Sequence, residues 1–423
     1  MDTASSTSTP AAPAPSAGPA LSATQVSYVP TASGKNVIVE GPLTEATLGT
    51  SIVPAYAYTD EEAFAHEQQT IFRSGWSWAG YAHWIPNVGD VRPVTIAGSP
   101  LLLVRSIEDE IKVFHNSCRH RGMVLTEEPI EVTQRIQCAY HCWSYNLDGS
   151  LAAAPYFTRE RRGNPSPEAK ERLHLLPVAA ATWAGMIFVN LSDDPRPFLE
   201  SAGPLVERWS YIDFDRLHLG AEREFDLAVN WKLCVENFLD FYHLPFVHPQ
   251  VGPVAASLDV DDVVIEPSLI VGGSYPRGAV GKAKKSEDQL PYLGDVPDDK
   301  KESQDIFCLF PNALVFLEAD WFQVIALDPR SATHTVEHMA VFVDKDADDP
   351  RFAESISSLV EVLFHVNEQD IPFLYKLQAG RRSVGSDHTS LVEHCDQITA
   401  MFQTIVASRA GYGSAPEAAR VDD

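Results

Sequence analysis

The sequence predicts an α+β protein in two parts: a small antiparallel β domain, then a larger α+β domain with an antiparallel sheet and long C-terminal helices. Three patterns carry this. Between Trp76 and Pro177, short apolar or alternating runs (Val91–Ile96, Leu101–Val104, Ile111–Phe114) are separated by Gly, Pro, Asn and Asp, as in hairpins. Beyond Pro177, strand-like runs at Gly185–Leu191, Ala313–Glu318, Val324–Leu327 and Thr335–Val343 are mixed with helical stretches. The longest of those stretches, Phe352–Gln378 and Thr389–Val406, come last.

Taken in order, residues 1–40 are rich in Ala, Ser, Thr and Pro with Lys35 as their one basic residue, and are expected to be a disordered tail. A transit peptide is the alternative, although such peptides favour Arg and none occurs before Arg73. Residues 41–75 form an N-terminal segment with one amphipathic helix, Glu61–Arg73, capped by Asp60. Residues 76–177 are the β domain and residues 178–423 the larger one. The charged stretch Ser274–Ser303, with its Gly, Pro and Lys, reads as a mobile loop or lid.

Composition narrows the class. With 423 residues, 45% of them hydrophobic, the chain has material for two buried cores. A net charge of −26 argues against nucleic acid, which needs clustered Lys and Arg, and favours docking to a basic protein. No apolar run approaches the roughly 20 residues that cross a bilayer, and the N-terminus lacks a secretory apolar core, so the expected location is cytoplasmic, away from membranes.

Cys118-Arg119-His120 and Cys138-Ala139-Tyr140-His141, separated by 17 residues, fall at two hairpin tips, after Ile111–Phe114 and after Arg135–Gln137. Each loop offers one thiolate and one imidazole. Zinc accepts such a set, but zinc-finger spacing usually segregates the two Cys from the two His. Alternation suits a [2Fe-2S] cluster with both cysteines on one iron and both histidines on the other. Cys142, Cys234, Cys308 and Cys395 have no disulfide-like spacing, which fits a reducing compartment.

A second pattern lies downstream. Glu236, Asp240 and His243 have helical i, i+4, i+7 spacing and so share a face, whereas His248 would stand about 140° from His243 in an unbroken helix. Pro245 is expected to end or kink that helix and bring His248 back. Two histidines and a carboxylate then form the facial triad of an oxygen-activating Fe(II). The alternative is a pair of packed or partly exposed histidines.

The flanks His115-Asn116-Ser117-Cys118-Arg119-His120-Arg121-Gly122 and Cys138 to Gly149 closely resemble the Rieske motif of the Rieske non-heme iron oxygenases. The run Glu236-Asn237-x-x-Asp240-x-Tyr242-His243-x-x-x-x-His248 resembles the iron element of their catalytic (alpha) subunits, and the resemblance extends from about Ala57 to Phe402. It implies a Rieske cluster on Cys118, His120, Cys138 and His141, and a mononuclear Fe(II) on His243, His248 and a carboxylate from a long C-terminal helix. Asn367-Glu368-Gln369-Asp370-Ile371-Pro372 resembles that stretch, with Asp370 as the ligand and Glu368 as its rival; the alternative is that both are solvated helix charges. Respiratory-chain Rieske proteins carry an extra Cys in each loop and a disulfide beside the cluster. Met123 and Tyr140 occupy those positions here, which implies no bridge and a lower potential. Ala139 replaces a usual Pro and Cys142 a usual Gly.

The resemblance also implies partners. The chain has no Gly-x-Gly-x-x-Gly fingerprint and no four-Cys ferredoxin pattern, so a separate NAD(P)H reductase, with or without a ferredoxin, would supply electrons. Family members pass electrons between subunits of a head-to-tail homotrimer, where Asp240 would link the partner subunit's His141 to His243. The reactants would be O2 and a small organic substrate. Phe307, Phe310, Phe316, Trp321 and Phe322 are expected to wall its pocket, which suits an aromatic ring or a quaternary ammonium group. The stretch Asn367–Ser383 resembles the branch acting on choline, glycine betaine or carnitine more than the ring-dihydroxylating one, implying monooxygenation, including oxidative N-demethylation. Ring dihydroxylation is the alternative within the family. From other classes, a Rieske electron carrier without oxygenase activity leaves the second pattern idle, and a zinc-stabilised binding protein explains neither.

Overall fold

The computed structural model describes residues 26–30, 36–40, 51–159, 163–249, 262–263, 270–277, 289–392 and 395–412. Val26–Pro30 and Asn36–Glu40 pair as an antiparallel hairpin inside the segment expected to be disordered. Both runs are rich in β-branched residues, which favours pairing over coil. The rest of the tail lies outside the described residues.

Asp60 opens the first helix as expected, its Oδ1 accepting from the N–H groups of Glu62 and Ala63 at 2.8 and 2.9 Å. The helix runs over Glu61–Glu67 and continues as a π turn, Gln68–Phe72. The small β domain follows. A four-stranded antiparallel sheet runs in the order Ile111–His115, Ser99–Arg105, Asp90–Ile96, Ile130–Glu131, and a three-stranded sheet in the order Leu151–Ala153, Ser144–Asn146, Arg135–Gln137. Leu102, Phe114, Ile136 and Tyr145 pack between them with Cys118 and Cys138. Gly149, at φ 84°, lets the turn close on Phe114, whose ring lies 2.4 Å from where a Cβ would stand. A third sheet pairs Ser77–Tyr81 with Met186–Asn190, and that strand with Ala179–Trp183, so strands beyond Pro177 join a strand that precedes the β domain's own sheets.

The larger domain is built on a seven-stranded antiparallel sheet in the order Leu217–Leu227, His334–Asp344, Trp321–Ser331, Ala313–Glu318, Ser303–Leu309, Ile270–Pro276, Asp262–Val263. Strand alternation sorts its side chains. Trp321, Ile325 and Leu327 face a core shared with helices, while Phe322, Val324 and Ala326 face a second core with Trp209 and Phe307. Helices Trp231–Leu239, Ala353–Gly380 and Gln397–Ala410 contribute to the first core. The last begins eight residues later than Thr389, where the sequence predicts it. Asp396 Oδ2 accepts from the N–H of Val392 at 2.6 Å and turns the chain just ahead of the helix. Of the expected lid, residues 278–288 lie outside the described residues; the strands flanking it, Ile270–Pro276 and Ser303–Leu309, pair with each other. Among the described residues no helix is long and apolar enough to cross a membrane.

Helix Trp231–Leu239 is pinned by polar groups within this core. Lys232, fully buried, donates from Nζ to Glu67 at 2.7 and 2.9 Å and to the Ala57 carbonyl at 2.8 Å. Trp231 Nε1 and the Tyr412 hydroxyl also donate to Glu67, at 2.9 and 2.7 Å. A residue deleted from a buried ion pair leaves an uncompensated charge. Glu67→Gln is therefore expected to lower unfolding stability by about 3–5 kcal/mol in urea titration, and Lys232→Met with Glu67→Gln together by less than Glu67→Gln alone.

Candidate metal centres

The two ligand loops of the small domain share a backbone pattern. In the first, Cys118 N–H donates to the Met123 carbonyl and Gly122 N–H to the Cys118 carbonyl, both at 2.8 Å. In the second, Cys138 N–H donates to Trp143 at 2.8 Å and Cys142 N–H to Cys138 at 3.0 Å. Each closure needs a left-handed residue: Gly122 at φ 74° and, where glycine is usual, Cys142 at φ 58°. Both loops thus aim a Cys inward and a His outward. Cys118 and Cys138 are buried, while His120 and His141 are exposed, with their Nδ1 atoms 3.2 Å apart. His120 also stacks on Trp143, at 5.0 Å between ring centroids.

The electrostatics suit bound metal. Burial pushes the Cys118 thiol up, while the Tyr145 hydroxyl, 3.3 Å from Sγ, favours the thiolate. That hydroxyl also accepts from the Arg119 N–H at 2.9 Å, so Tyr145 locks the loop to the hairpin behind it. Burial, His141 and Arg121 hold His120 below the usual imidazole range, leaving it neutral as ligation requires. All six cysteines carry free thiols, and Met123 and Tyr140 are exposed.

The second cluster is formed where a helix stops. The sequence predicts one helical face carrying Glu236, Asp240 and His243, broken at Pro245. The structure corrects this: the helix ends at Leu239, and Asp240 (φ −86°, ψ 117°) is extended. Its Oδ1 accepts from the Tyr242 N–H at 2.6 Å, an Asx turn that offers the backbone an alternative to the helix. Pro245 lies in the first turn of the next short helix, Leu244–Val247, where its missing N–H costs nothing. Glu236 is not part of the histidine cluster; it accepts from Tyr58, from Gln403 at 3.1 Å and from Arg381 at 3.4 Å.

The turn brings His243 and His248 to Asp370 on the long helix. His248 Nε2 is 2.9 Å and His243 Nε2 3.5 Å from Asp370 Oδ1. Neighbouring ligands on one first-row ion, at bond lengths near 2.1 Å, stand roughly 3 Å apart. These three atoms, all buried, have no hydrogen-bond partner among the described residues. Orphaned atoms converging on one point fit a metal ion. Burial opposes protonation of His248, yet the Asp370 carboxylate, with Gln369 behind the ring, outweighs it and raises the imidazole's pKa, so the surroundings favour positive charge between ring and carboxylate. The other ring nitrogens are held from behind, His248 Nδ1 by Gln369 Oε1 at 2.9 Å and His243 Nδ1 by Asp240 Oδ2 at 3.2 Å. Glu368 is half exposed and lies 2.6 Å from Arg223 instead.

A cavity of about 120 Å³ opens on His243, His248 and Asp370. Of the five aromatics expected to wall it only Phe316 does, joined by Phe238 and Phe241. Phe307 and Phe322 point to the opposite face of the sheet, and Phe310 and Trp321 pack in the helix-side core. Sequence reasoning passed over Gln369, Tyr145, Asn367 and Glu337. The first three sit inside or beside the two motifs; Glu337, which also lines the cavity, gave no local signal. Burial and the nearby Asp370 push its carboxyl up to about 7, against hydrogen bonds from Asn367 and Cys234.

Alternating Cys and His loops on a small β domain, with a His-His-Asp cluster on an α+β domain, define a protein that joins a [2Fe-2S] centre to a mononuclear iron site. Residues 75–171 match the Rieske [2Fe-2S] domain and residues 214–411 the ring hydroxylating alpha subunit (catalytic domain). The chain belongs to the alpha-subunit family of the Rieske non-heme iron oxygenases. It is 32% identical over 203 residues to the glycine betaine monooxygenase oxygenase subunit of Chromohalobacter salexigens, covering 48% of this chain and 44% of that protein. It is equally 32% identical over 200 residues to terephthalate 1,2-dioxygenase terminal oxygenase component subunit alpha 2 of Comamonas sp, covering 46% and 48%. The chain thus spans about half the length of these curated relatives. Among solved structures, the quaternary ammonium Rieske monooxygenase CntA in complex with L-carnitine shares the fold, with a TM-score of 0.63, 22% identity, and coverage of 86% of this chain and 95% of that one.

Two substitutions separate the centres. Cys138→Ser is expected to lose two irons and the reduced-state EPR signal of the cluster while keeping mononuclear iron. Asp370→Ala is expected to do the reverse, keeping the cluster's colour, whereas Glu368→Ala retains all iron in metal analysis; iron lost from the Glu368 variant instead would overturn the assignment of Asp370.

Proposed function

We propose that the chain is a terminal oxygenase component that hydroxylates a small organic substrate, with monooxygenation of a quaternary ammonium compound, including oxidative N-demethylation, as its activity. The observation that carries this is the convergence of three orphaned ligand atoms on the wall of an apolar cavity. When bound, the cluster supplies single electrons and the iron an O2-activating centre with open positions. The chain's own residues do the rest. Gln369 and Asp240 fix the two imidazole rings, and Phe238, Phe241, Phe316 and Ile325 exclude water from the space beside them. That space, at about 120 Å³, is slightly smaller than the ~150 Å³ cavity that accepts benzene, so it suits a trimethylammonium headgroup or one ring rather than fused rings.

Aromatic faces around a headgroup-sized space favour a cation. The terephthalate dioxygenase relative, as similar as the glycine betaine one, keeps dihydroxylation of a single ring as the second reading. Oxygen-isotope labelling separates them. With a suitable NAD(P)H reductase, with or without a ferredoxin, and ¹⁸O2, choline, glycine betaine or carnitine is expected to take up one labelled atom, the other leaving as water, read in the hydroxylated product or, after N-demethylation, in the released formaldehyde trapped before it exchanges, with coupled NADH consumption. Two labelled atoms in terephthalate, with no turnover of the three quaternary ammonium compounds, would reverse the assignment.

The electron route is part of the same proposal. Asp240 is partly exposed, and its Oδ2 lies against His243 Nδ1, leaving its outer edge open to a second subunit of a homotrimer. There it would accept from the partner subunit's His141, an exposed ring in this chain. Asp240→Asn preserves shape and removes the charge. Single-turnover cluster reoxidation is expected to slow by at least about a hundredfold, roughly 2.7 kcal/mol of barrier, with both metals in place.

A further inference from the structure

Three carboxylates line the iron cavity: Asp240, Asp370 and Glu337. The first holds His243 and the second belongs to the metal cluster. Glu337 has neither duty. It projects from strand His334–Asp344 on the side where the following alternate positions, Met339, Val341 and Val343, enter the helix-side core. It is 4% exposed, and Asn367 Nδ2 donates to its Oε2 at 3.0 Å. Among the described residues no Lys, Arg or His pairs with it. Ionising a carboxyl in an apolar layer without a counter-ion is costly, and a cation entering the cavity offsets that cost.

We propose that Glu337 is the substrate's counter-ion, its carboxylate holding a quaternary ammonium headgroup against Phe238, Phe241 and Phe316 in the iron cavity. This rests on the reading of that cavity as the pocket of a quaternary ammonium monooxygenase, and names the group that selects charge within it. A quaternary nitrogen donates no hydrogen bond, so recognition comes from a nearby negative charge and from aromatic faces, which the cavity combines. A carboxylate set in the low-dielectric wall of the cavity responds strongly to an incoming positive charge.

Isosteres with a neutral quaternary carbon in place of N⁺ test the inference. Choline and glycine betaine differ from 3,3-dimethylbutan-1-ol and 3,3-dimethylbutanoate only in carrying N⁺ in place of carbon. Anaerobic calorimetry on the holoenzyme is expected to show at least about a tenfold preference for one cation over its isostere. In Glu337→Gln, which keeps an acceptor for Asn367, the preference falls to near unity, while isostere affinity, cluster absorbance and mononuclear iron stay unchanged. Glu337→Asp, which keeps the charge, retains a preference and covers the case in which the Gln variant does not fold. A preference that survives in Glu337→Gln, an equal loss of affinity for cation and isostere, or a wild-type enzyme that binds the cations no better than the isosteres would each overturn the counter-ion role while leaving the pocket's identity intact. Failure of the wild-type enzyme to bind choline, glycine betaine or carnitine would sink the quaternary ammonium reading itself.

Discussion

The buried pair of Lys232 and Glu67 sits at the root of the iron site. An ammonium with no exposed surface is tolerable only if every direction is answered, and Glu67 and Ala57 answer it from the N-terminal segment. Glu67 is in turn held by Trp231 and Tyr412, the latter just after the C-terminal helix. One turn further on, Glu236 takes donors from Tyr58, Arg381 and Gln403. The short helix Trp231–Leu239 is therefore fixed by groups before the small domain and after the long helix. That rigidity lets the chain break immediately afterwards without losing the position of His243.

The break explains how ligands distant in sequence meet. An unbroken helix could offer His243 or His248 to one point in space, but not both. Asp240 ends the helix with its own side chain and then uses its second oxygen on His243, so one carboxylate both shapes the backbone and orients a ring. Asp370 needs no such device, because the long helix delivers it with Gln369 beside it for His248. Glu368, two residues earlier and therefore roughly 200° around the helix, meets Arg223.

What was legible in the sequence was what is local. The Cys118 and Cys138 loops, the Asp60 cap and the strands Ala313–Glu318 and Thr335–Val343 depend on neighbours within a few residues, and spacing alone locates them. The competition at Asp240 was hidden because two local rules act there, proline geometry and side-chain capping, and composition does not reveal that capping wins. The pocket walls were misread for a different reason. Phe307, Phe316 and Phe322 are all apolar strand residues, and only strand pairing and the side on which the helices lie decide which face each presents. Glu337 is the converse case: on that face it precedes the apolar positions Met339, Val341 and Val343 without a local signal, and its meaning depends on Asn367 and Cys234, both far away in the chain.

The two candidate centres differ in how their polar groups stand with respect to water. At the surface loops the imidazoles of His120 and His141 are exposed while the thiols are buried, so one end of that ligand set can touch another protein and the other stays shielded. At the iron site His248 is fully buried, and the partly exposed group is Asp240, behind His243. Asp240 is partly exposed, whereas Glu337 sits within the apolar layer, where an ionised carboxylate is costly without a cation. Similar groups at two depths thus suit different tasks: under the proposed function the outer one would face a partner's surface and the inner one the substrate.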